Sequence, residues 1–478
     1  MLVLAALLAL LPLPSATVAC ASHRATPFAA ARSSLAMLRT EPFEQTRRAQ
    51  ERALLEAPQA DLRRFLSDDE RARFHAYRRP RWMGGLANLL LQGALLALLV
   101  RSLGARIYAA CARAQERLAA TLATREKLRE RLQPLSRAMD RLWSAPDWPA
   151  ALLFAAALAV VEEIALWPAS LVFDWLLPRQ QGLSQQTLAR WMELSMLGLV
   201  TQSLGLAALA FGLWGLMRRV RRVWLWLGVP AGALVVLAGL GDPLSLQVRN
   251  TLRPLEAGPA RAAIESVLER AGVQAEAIDV MNARRDGESL DAFVIGQGPT
   301  RRIVLYDTLV EALTPAQLGA VVAHELGHLD RSRAARALAA GATIPLLLWL
   351  AGLLLAWSGP REARAGRPGR ASRFGFRDGR DVRALPLLLL AAWMLATAAS
   401  PVANLAARDR ELRADLFALD LTRDPASLRG ALLQLARKNQ LDPAPPALVA
   451  ALLYDHPTLA RRLGLVDAWE AAAARGER

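Results

Sequence analysis

Residues 149–177 read PAALLFAAALAVVEEIALWPASLVFDWLL. Almost every position is apolar, and the few polar ones show neither a period of two nor a single wet helical face. A run of this kind has what a helix needs to cross the roughly 30 Å hydrocarbon core of a bilayer. Comparable stretches occur at 84–103, 191–217, 223–241, 335–357 and 384–405, and an apolar segment at 1–20 brings the expected total to seven. Lipid satisfies no backbone hydrogen bond, so each is expected to be helical. The expected fold class is mainly α: a polytopic membrane protein of about seven transmembrane helices. Glu162 and Glu163 fall in the middle of the quoted segment, where an ionised carboxylate needs water or a partner.

The rest of the composition agrees with a membrane protein. Of 478 residues 54% are apolar, and they fall in blocks rather than in an amphipathic pattern. The net charge of +16 is almost entirely arginine, Lys127 and Lys438 being the only lysines. These arginines sit between apolar blocks, without a nucleic-acid motif or interleaved aromatics, so nucleic acid is not an expected partner. The lipid bilayer is one. Cys20 and Cys111 fit neither a disulfide framework nor a metal-site spacing, and His23 and His75 read as surface residues.

Residues 1–20 end in small residues and read either as a signal peptide or as a first transmembrane helix. A polar N-terminal loop region at 21–83 follows, then transmembrane helices over 84–241. The next soluble-looking unit, 242–334, has an amphipathic helix near 259–271 and β-like runs at 277–281, 291–296 and 301–306. Two transmembrane helices at 335–405 and a mixed helical C-terminal segment at 406–478 complete the chain. Arg218, Arg219, Arg221 and Arg222, and the arginines of 358–383, mark cytoplasmic loops. The unit between them, with thirteen carboxylates against eight arginines over 242–330, is then extracytoplasmic, and the membrane a bacterial inner or cell membrane. The arginines of 21–83 pull against that topology.

Thr314, Pro315 and Gln317 open a helix, with an N-cap hydroxyl, Pro at the first helical position and Gln at the third. Along it lies His324-Glu325-Leu326-Gly327-His328, the HExxH pattern. A four-residue step puts both imidazoles on one helix face, where they can share a metal ion, and places Glu325 beside the ion as general base. Catalytic zinc takes three protein ligands. Residues 404–418 supply the third candidate: Glu411 and Asp415 are one turn apart, so one can bind the metal while the other accepts the free N–H of a ligating histidine. Spacing leaves open which does which.

HELGH, followed by Arg408-x-x-Glu411-x-x-Ala414-Asp415-x-Phe417-Ala418 and then by His456-Pro457-Thr458-Leu459 with Arg462, resembles the M48 metallopeptidases, especially the Ste24 type, the CAAX prenyl endopeptidases. The resemblance implies one Zn2+ per chain in a small α+β zincin-like module, with Glu411 as third ligand and Asp415 behind it. It implies that His456 and Arg462 face the substrate or the developing oxyanion. Asp291, Ala292 and Phe293 stand where the family's substrate strand carries Asn-Ala, so Asp replaces Asn; Ala407 replaces a frequent Ser. A water-filled chamber is also implied, which Glu162 and Glu163 would line; the competing reading makes them an interface between two shorter helices.

The expected activity is zinc-dependent endopeptidase hydrolysis of membrane-associated proteins or peptides. CAAX-type tail processing is one alternative, and a non-catalytic zinc-stabilised membrane scaffold another. Oligomeric state, natural substrate and cleavage preference leave no mark in the sequence.

Overall fold

The computed structural model describes residues 41–125, 148–219, 251–329 and 381–478 apart from positions 183 and 297, together with Phe376 and a few positions between 130 and 137. The expected spans at 1–20, 223–241 and 335–357 lie outside the described residues.

Helix α1 (Glu41–Leu55) precedes α2 (Asp68–Leu98), which a π-helical turn at Leu99–Leu103 joins to α3 (Gly104–Thr124). The start of α2 has a chemical cause. Ser67 accepts from the Glu70 N–H while the Glu70 carboxylate accepts from the Ser67 N–H, a reciprocal cap. Residues 21–83, read from their charge as a polar loop, therefore contain helix, and the Ser67-Asp68-Asp69-Glu70 box is the signal that the charge count obscured. Next come α4 (Trp148–Ser170), extended by a π-helical turn and a last short turn to Gln180, and α5 (Leu188–Arg219), which contains the expected span 191–217. Helix α4 passes Glu162 and Glu163 without a break, and the Gln92 side chain of α2 donates to Glu162 Oε1 at 2.7 Å. The carboxylate thus has a polar partner across the helix pair. These helices close around Leu96, Leu99, Phe154, Leu158 and Trp214.

A four-stranded sheet follows, of β1 (Leu252–Pro254), β2 (Ala277–Met281), β3 (Ala292–Ile295) and β4 (Arg302–Tyr306), in the order β1-β2-β4-β3. β2 and β4 are parallel; the other two pairs are antiparallel. Three strands match the expected runs to within a residue, and β1 is too short to show periodicity. β3 lies at one edge of the described sheet. Helix α6 (Pro259–Ala271) lies between β1 and β2 in the chain, and α7 (Asp307–Ala312) and α8 (Pro315–Gly327) follow β4. The chain closes with α9 (Leu385–Thr422), α10 (Pro425–Lys438), α11 (Ala447–Leu453) and α12 (Leu459–Ala474).

Among the described residues, three helical stretches are long and apolar enough to cross a bilayer: Asp68–Thr124, Trp148–Gln180 and Val382–Thr422. Helix α9 does more than span. At 38 residues and about 1.5 Å per residue it is about 57 Å long, so one half can sit in lipid while the other reaches the soluble core. That core joins the sheet, α6, α8, α10 and α12 to the second half of α9 through Ile264, Ile303, Leu305, Leu318, Leu419 and Leu463, all fully buried. Each such side chain contributes about 1.5–3 kcal/mol by leaving water.

The crossing of α8 and α9 is tight at one point: a Cβ on Gly327 would lie 2.9 Å from Ala414 Cα. Backbone atoms cannot swing aside as a side chain can. Gly327→Val is therefore expected to cost about 1–3 kcal/mol and to lower the thermal midpoint of the detergent-solubilised protein; an unchanged midpoint would show that the helices do not touch there.

Candidate metal centre

Helix α8 starts where the sequence indicates, since Thr314 Oγ1 accepts from the Gln317 N–H and Gln317 Oε1 accepts from the Thr314 N–H. This fixes the register that aims His324 and His328 at α9. The two Nε2 atoms are 3.2 Å apart with the rings perpendicular. Glu411, from the projecting half of α9, closes the triangle, its Oε2 3.4 Å from His324 Nε2 and its Oε1 3.3 Å from His328 Nε2. These three side chains form a group that can hold a metal ion. Three lone-pair donors this close repel one another unless a cation lies between them.

Behind the triangle, Asp415 Oδ1 lies 2.8 Å from His324 Nδ1, and the Asp415 side chain has no exposure at all. Its charge is met by Arg462, which donates from Nε to Oδ2 at 2.7 Å and from Nη2 to Oδ1 at 2.6 Å. With the Nδ1 proton committed to Asp415, His324 presents its Nε2 lone pair to the triangle. Burial disfavours the charged form of His324, but the Asp415 and Glu411 carboxylates overcome it and push its pKa up to about 9. In the absence of an ion, a proton fills the same need for positive charge. Burial also raises the Glu325 carboxyl above its ordinary value, against the pull of the two histidines and aided by Asp291 and Glu411.

Of the remaining sequence candidates, His456 stands at the mouth with its Nε2 3.6 Å from Glu411 Oε2. Its Nδ1 is 2.7 Å from Asp455 Oδ1, and this bond, against the cost of burial, holds the imidazole above its usual pKa. Arg462 lines the cavity but spends its guanidinium on Asp415. Asp291 and Ala292 line it too, while Phe293 packs edge-on against Tyr306. The Asp291 C=O accepts from the Tyr306 N–H at 3.0 Å, which turns the Ala292 backbone to the side of β3 away from β4, where Asp291 Oδ1 accepts its N–H at 2.9 Å. The cavity measures about 790 Å3 and runs from Gln92, Trp393 and Ser400 on the membrane helices to Glu325 and Glu411.

Against known proteins, residues 254–470 match Peptidase family M48, a stretch that holds the whole triangle. The chain belongs to this family. Proteins similar to it include the uncharacterized metalloprotease YhfN of Bacillus subtilis, 27% identical over 62% of this chain and 68% of the relative. The CAAX prenyl protease 1 homolog of Oryza sativa is 26% identical over 66% of this chain and 73% of its own length. The crystal structure of S. mikatae Ste24p shares the fold, with a TM-score of 0.67 at 20% identity, covering 93% of this chain and 100% of that one. This M48 chain is thus a metalloprotease, and with three bilayer-length helices among its described residues an integral membrane one.

Sequence reasoning did not find Asn439, whose side chain bonds both the Leu290 N–H and C=O, at 2.8 and 2.9 Å, and so pins the entry to β3. No local pattern announces a lone Asn after a helix. Nor did it find that Arg462 serves Asp415, which depends on α12 packing beside α9. Arg462→Met is expected to cost about 3–5 kcal/mol by leaving a buried carboxylate without its cation, read as a lower thermal midpoint, with Arg462→Lys intermediate. An Arg462→Met protein as stable as wild type would show that Asp415 does not depend on it.

Proposed function

We propose that this chain is a membrane-embedded zinc endopeptidase acting on membrane-associated proteins or peptides, with His324, His328 and Glu411 as metal ligands and Glu325 as general base. The cluster carries the reading: the two Nε2 atoms are 3.2 Å apart, each lies 3.3 or 3.4 Å from one of the two Glu411 oxygens, and one ligand atom from each residue falls within 4.8 Å of the others. Tetrahedral coordination at zinc's usual distance of roughly 2.0–2.1 Å sets neighbouring N and O ligands about 3.3–3.4 Å apart. A calcium site takes oxygen donors only, which a cluster with two imidazoles does not supply. When bound, zinc supplies Lewis-acid polarisation of the scissile carbonyl and brings the pKa of water to about 7.

The side chains do the rest. Glu325, with its carboxyl raised by burial, takes the proton of the attacking water and returns it to the leaving amine. Asp415, anchored by Arg462, keeps His324 in one tautomer and orientation. His456, biased toward its cationic form by Asp455, donates to the developing oxyanion. The edge strand β3, at Asp291, Ala292 and Phe293, takes the substrate as an added strand. Residues 242–334 and 406–478 make the catalytic module and the remaining apolar blocks the membrane part; by the arginine distribution the module faces the extracytoplasmic side of a bacterial membrane.

A second reading, CAAX-type tail processing, has the support of a relative named CAAX prenyl protease 1 homolog. A scaffold that binds zinc only for stability has no use for Glu325.

Glu325→Gln is expected to retain metal and lose cleavage of a model peptide, while His324→Ala and Glu411→Ala lose both; metal content and peptide assays on the same preparations decide it, and a fully active Glu325→Gln protein refutes the assignment. Metal affinity should depend on pH, because an ion must displace the His324 proton, held up to about pH 9. Affinity then rises about tenfold per pH unit and levels off near 9, as a competing-chelator titration at pH 7, 8 and 9 would show. The sign reverses for the metal-free protein. Its raised His324 pKa contributes stability in full below the ordinary value of 6.5 and loses it as pH rises through about 9.

A further inference from the structure

The cavity is polar in a lopsided way. Around the triangle its wall is acidic, with Asp291, Glu325, Glu411 and Asp455, whereas another part of the same wall carries Arg78 and Arg81 of α2. These two guanidinium groups are held in place but not neutralised. Arg78 donates from Nε to the Gln440 C=O and from Nη2 to the Asn439 C=O, both at 2.8 Å, and Arg81 donates from Nη1 to the Tyr77 hydroxyl at 2.7 Å. The buried Tyr77 ring lies 5.6 Å from one guanidinium carbon and 5.7 Å from the other. Among the described residues neither arginine has a carboxylate within ion-pair distance; Asp442 acts on Arg78 only from farther away. Arg78 Nη1 and Arg81 Nε and Nη2 have no acceptor there. The neighbouring Trp82, on the same wall, also has a buried Nε1–H without an acceptor. This part of the cavity offers donors and positive charge, and among the described residues no carboxylate pairs with them.

Its place relative to β3 follows from the hydrogen bonds. Arg78 is fixed on the Asn439 carbonyl, and the Asn439 side chain brackets Leu290, the residue before Asp291. The arginines therefore stand beyond the N-terminal end of β3, the edge strand of the described sheet. An extended peptide added antiparallel to that edge, the more stable pairing, runs its C-terminal side past Ala292 and Asp291 toward Leu290.

We propose that Arg78 and Arg81 form a carboxylate-binding subsite for the portion of the substrate that follows the scissile bond. Two fixed guanidinium groups suit a carboxylate, and charge-assisted bonds of this kind discriminate by about tenfold or more against a neutral group. The carboxylate comes either from the free C-terminus of the substrate or from an Asp or Glu side chain, and the test separates the two. The proposal rests on the peptidase reading.

The experiment uses the full chain in detergent with zinc and one apolar decapeptide in three forms: free acid, C-terminal amide, and amide with Glu placed at successive positions. Cleavage of any of them by wild type, absent in Glu325→Gln, checks the peptidase reading by itself. The subsite then predicts a KM about tenfold lower for the acid, or for one Glu position, than for the plain amide, with similar kcat. That ratio should fall toward one in Arg81→Gln and recover in Arg81→Lys, and binding of fluorophore-tagged acid and amide to the Glu325→Gln protein should show the same ratio in Kd. Preference for the acid identifies the terminal carboxylate as the source; preference for a Glu position identifies the side chain. Wild-type cleavage with equal KM for all three forms overturns the proposal, as does a preference that survives both Arg81→Gln and Arg78→Gln.

Discussion

The buried Asp415 carboxylate is the constraint on which the site depends. A charge without solvent exposure is tolerable only when matched, and it is matched twice, by the Arg462 guanidinium and by the Nδ1 proton of His324. Arg462 comes from α12, Asp415 from α9 and His324 from α8, so one ionic cluster ties together three helices that are remote in the chain. The close passage of Gly327 against Ala414 keeps those helices near enough for the cluster to form, and for Glu411 to reach the histidines one turn away.

Helix α9 links the two environments of this protein. Its apolar first half packs with the membrane helices, through Leu385 and its neighbours, while its second half carries Glu411 and Asp415 into the core built on the sheet. The cavity follows the same path, from Gln92 and Trp393 to Glu325 and Glu411. Gln92, on the cavity wall, also donates to Glu162, so a carboxylate that would be costly in lipid has a hydrogen-bond partner within the helix pair.

Electrostatics divide that cavity. Carboxylates crowd the triangle, where positive charge is wanted, and arginines stand on another stretch of wall. A chain with a net charge of +16 has arginines to spare, but most of those on the surface meet acidic partners or solvent. Arg78 and Arg81 meet an aromatic ring and carbonyl or hydroxyl oxygens, which orient a guanidinium without cancelling its charge.

Much of this was legible in one dimension. HExxH places two imidazoles a turn apart because helix periodicity is local, and the Thr314 cap sets the same helix because capping spans three residues. Apolar blocks announce bilayer helices because transfer from water depends on composition alone. The Ser67 box was equally local and was hidden only by the charged residues around it. Other features have no local cause. The choice between Glu411 and Asp415, open from spacing, becomes a matter of which carboxylate faces Nε2 and which faces Nδ1, and that depends on how α9 is rotated against α8. The commitment of Arg462 to Asp415, the clasp of Asn439 on Leu290 and the hold of the Asn439 and Gln440 carbonyls on Arg78 each join residues that are far apart in the chain. By itself the sequence determined the helices, the donors and their class of chemistry, since those rest on periodicity and residue type; which donor meets which partner was decided only in the tertiary structure, because such contacts exist only after distant segments pack.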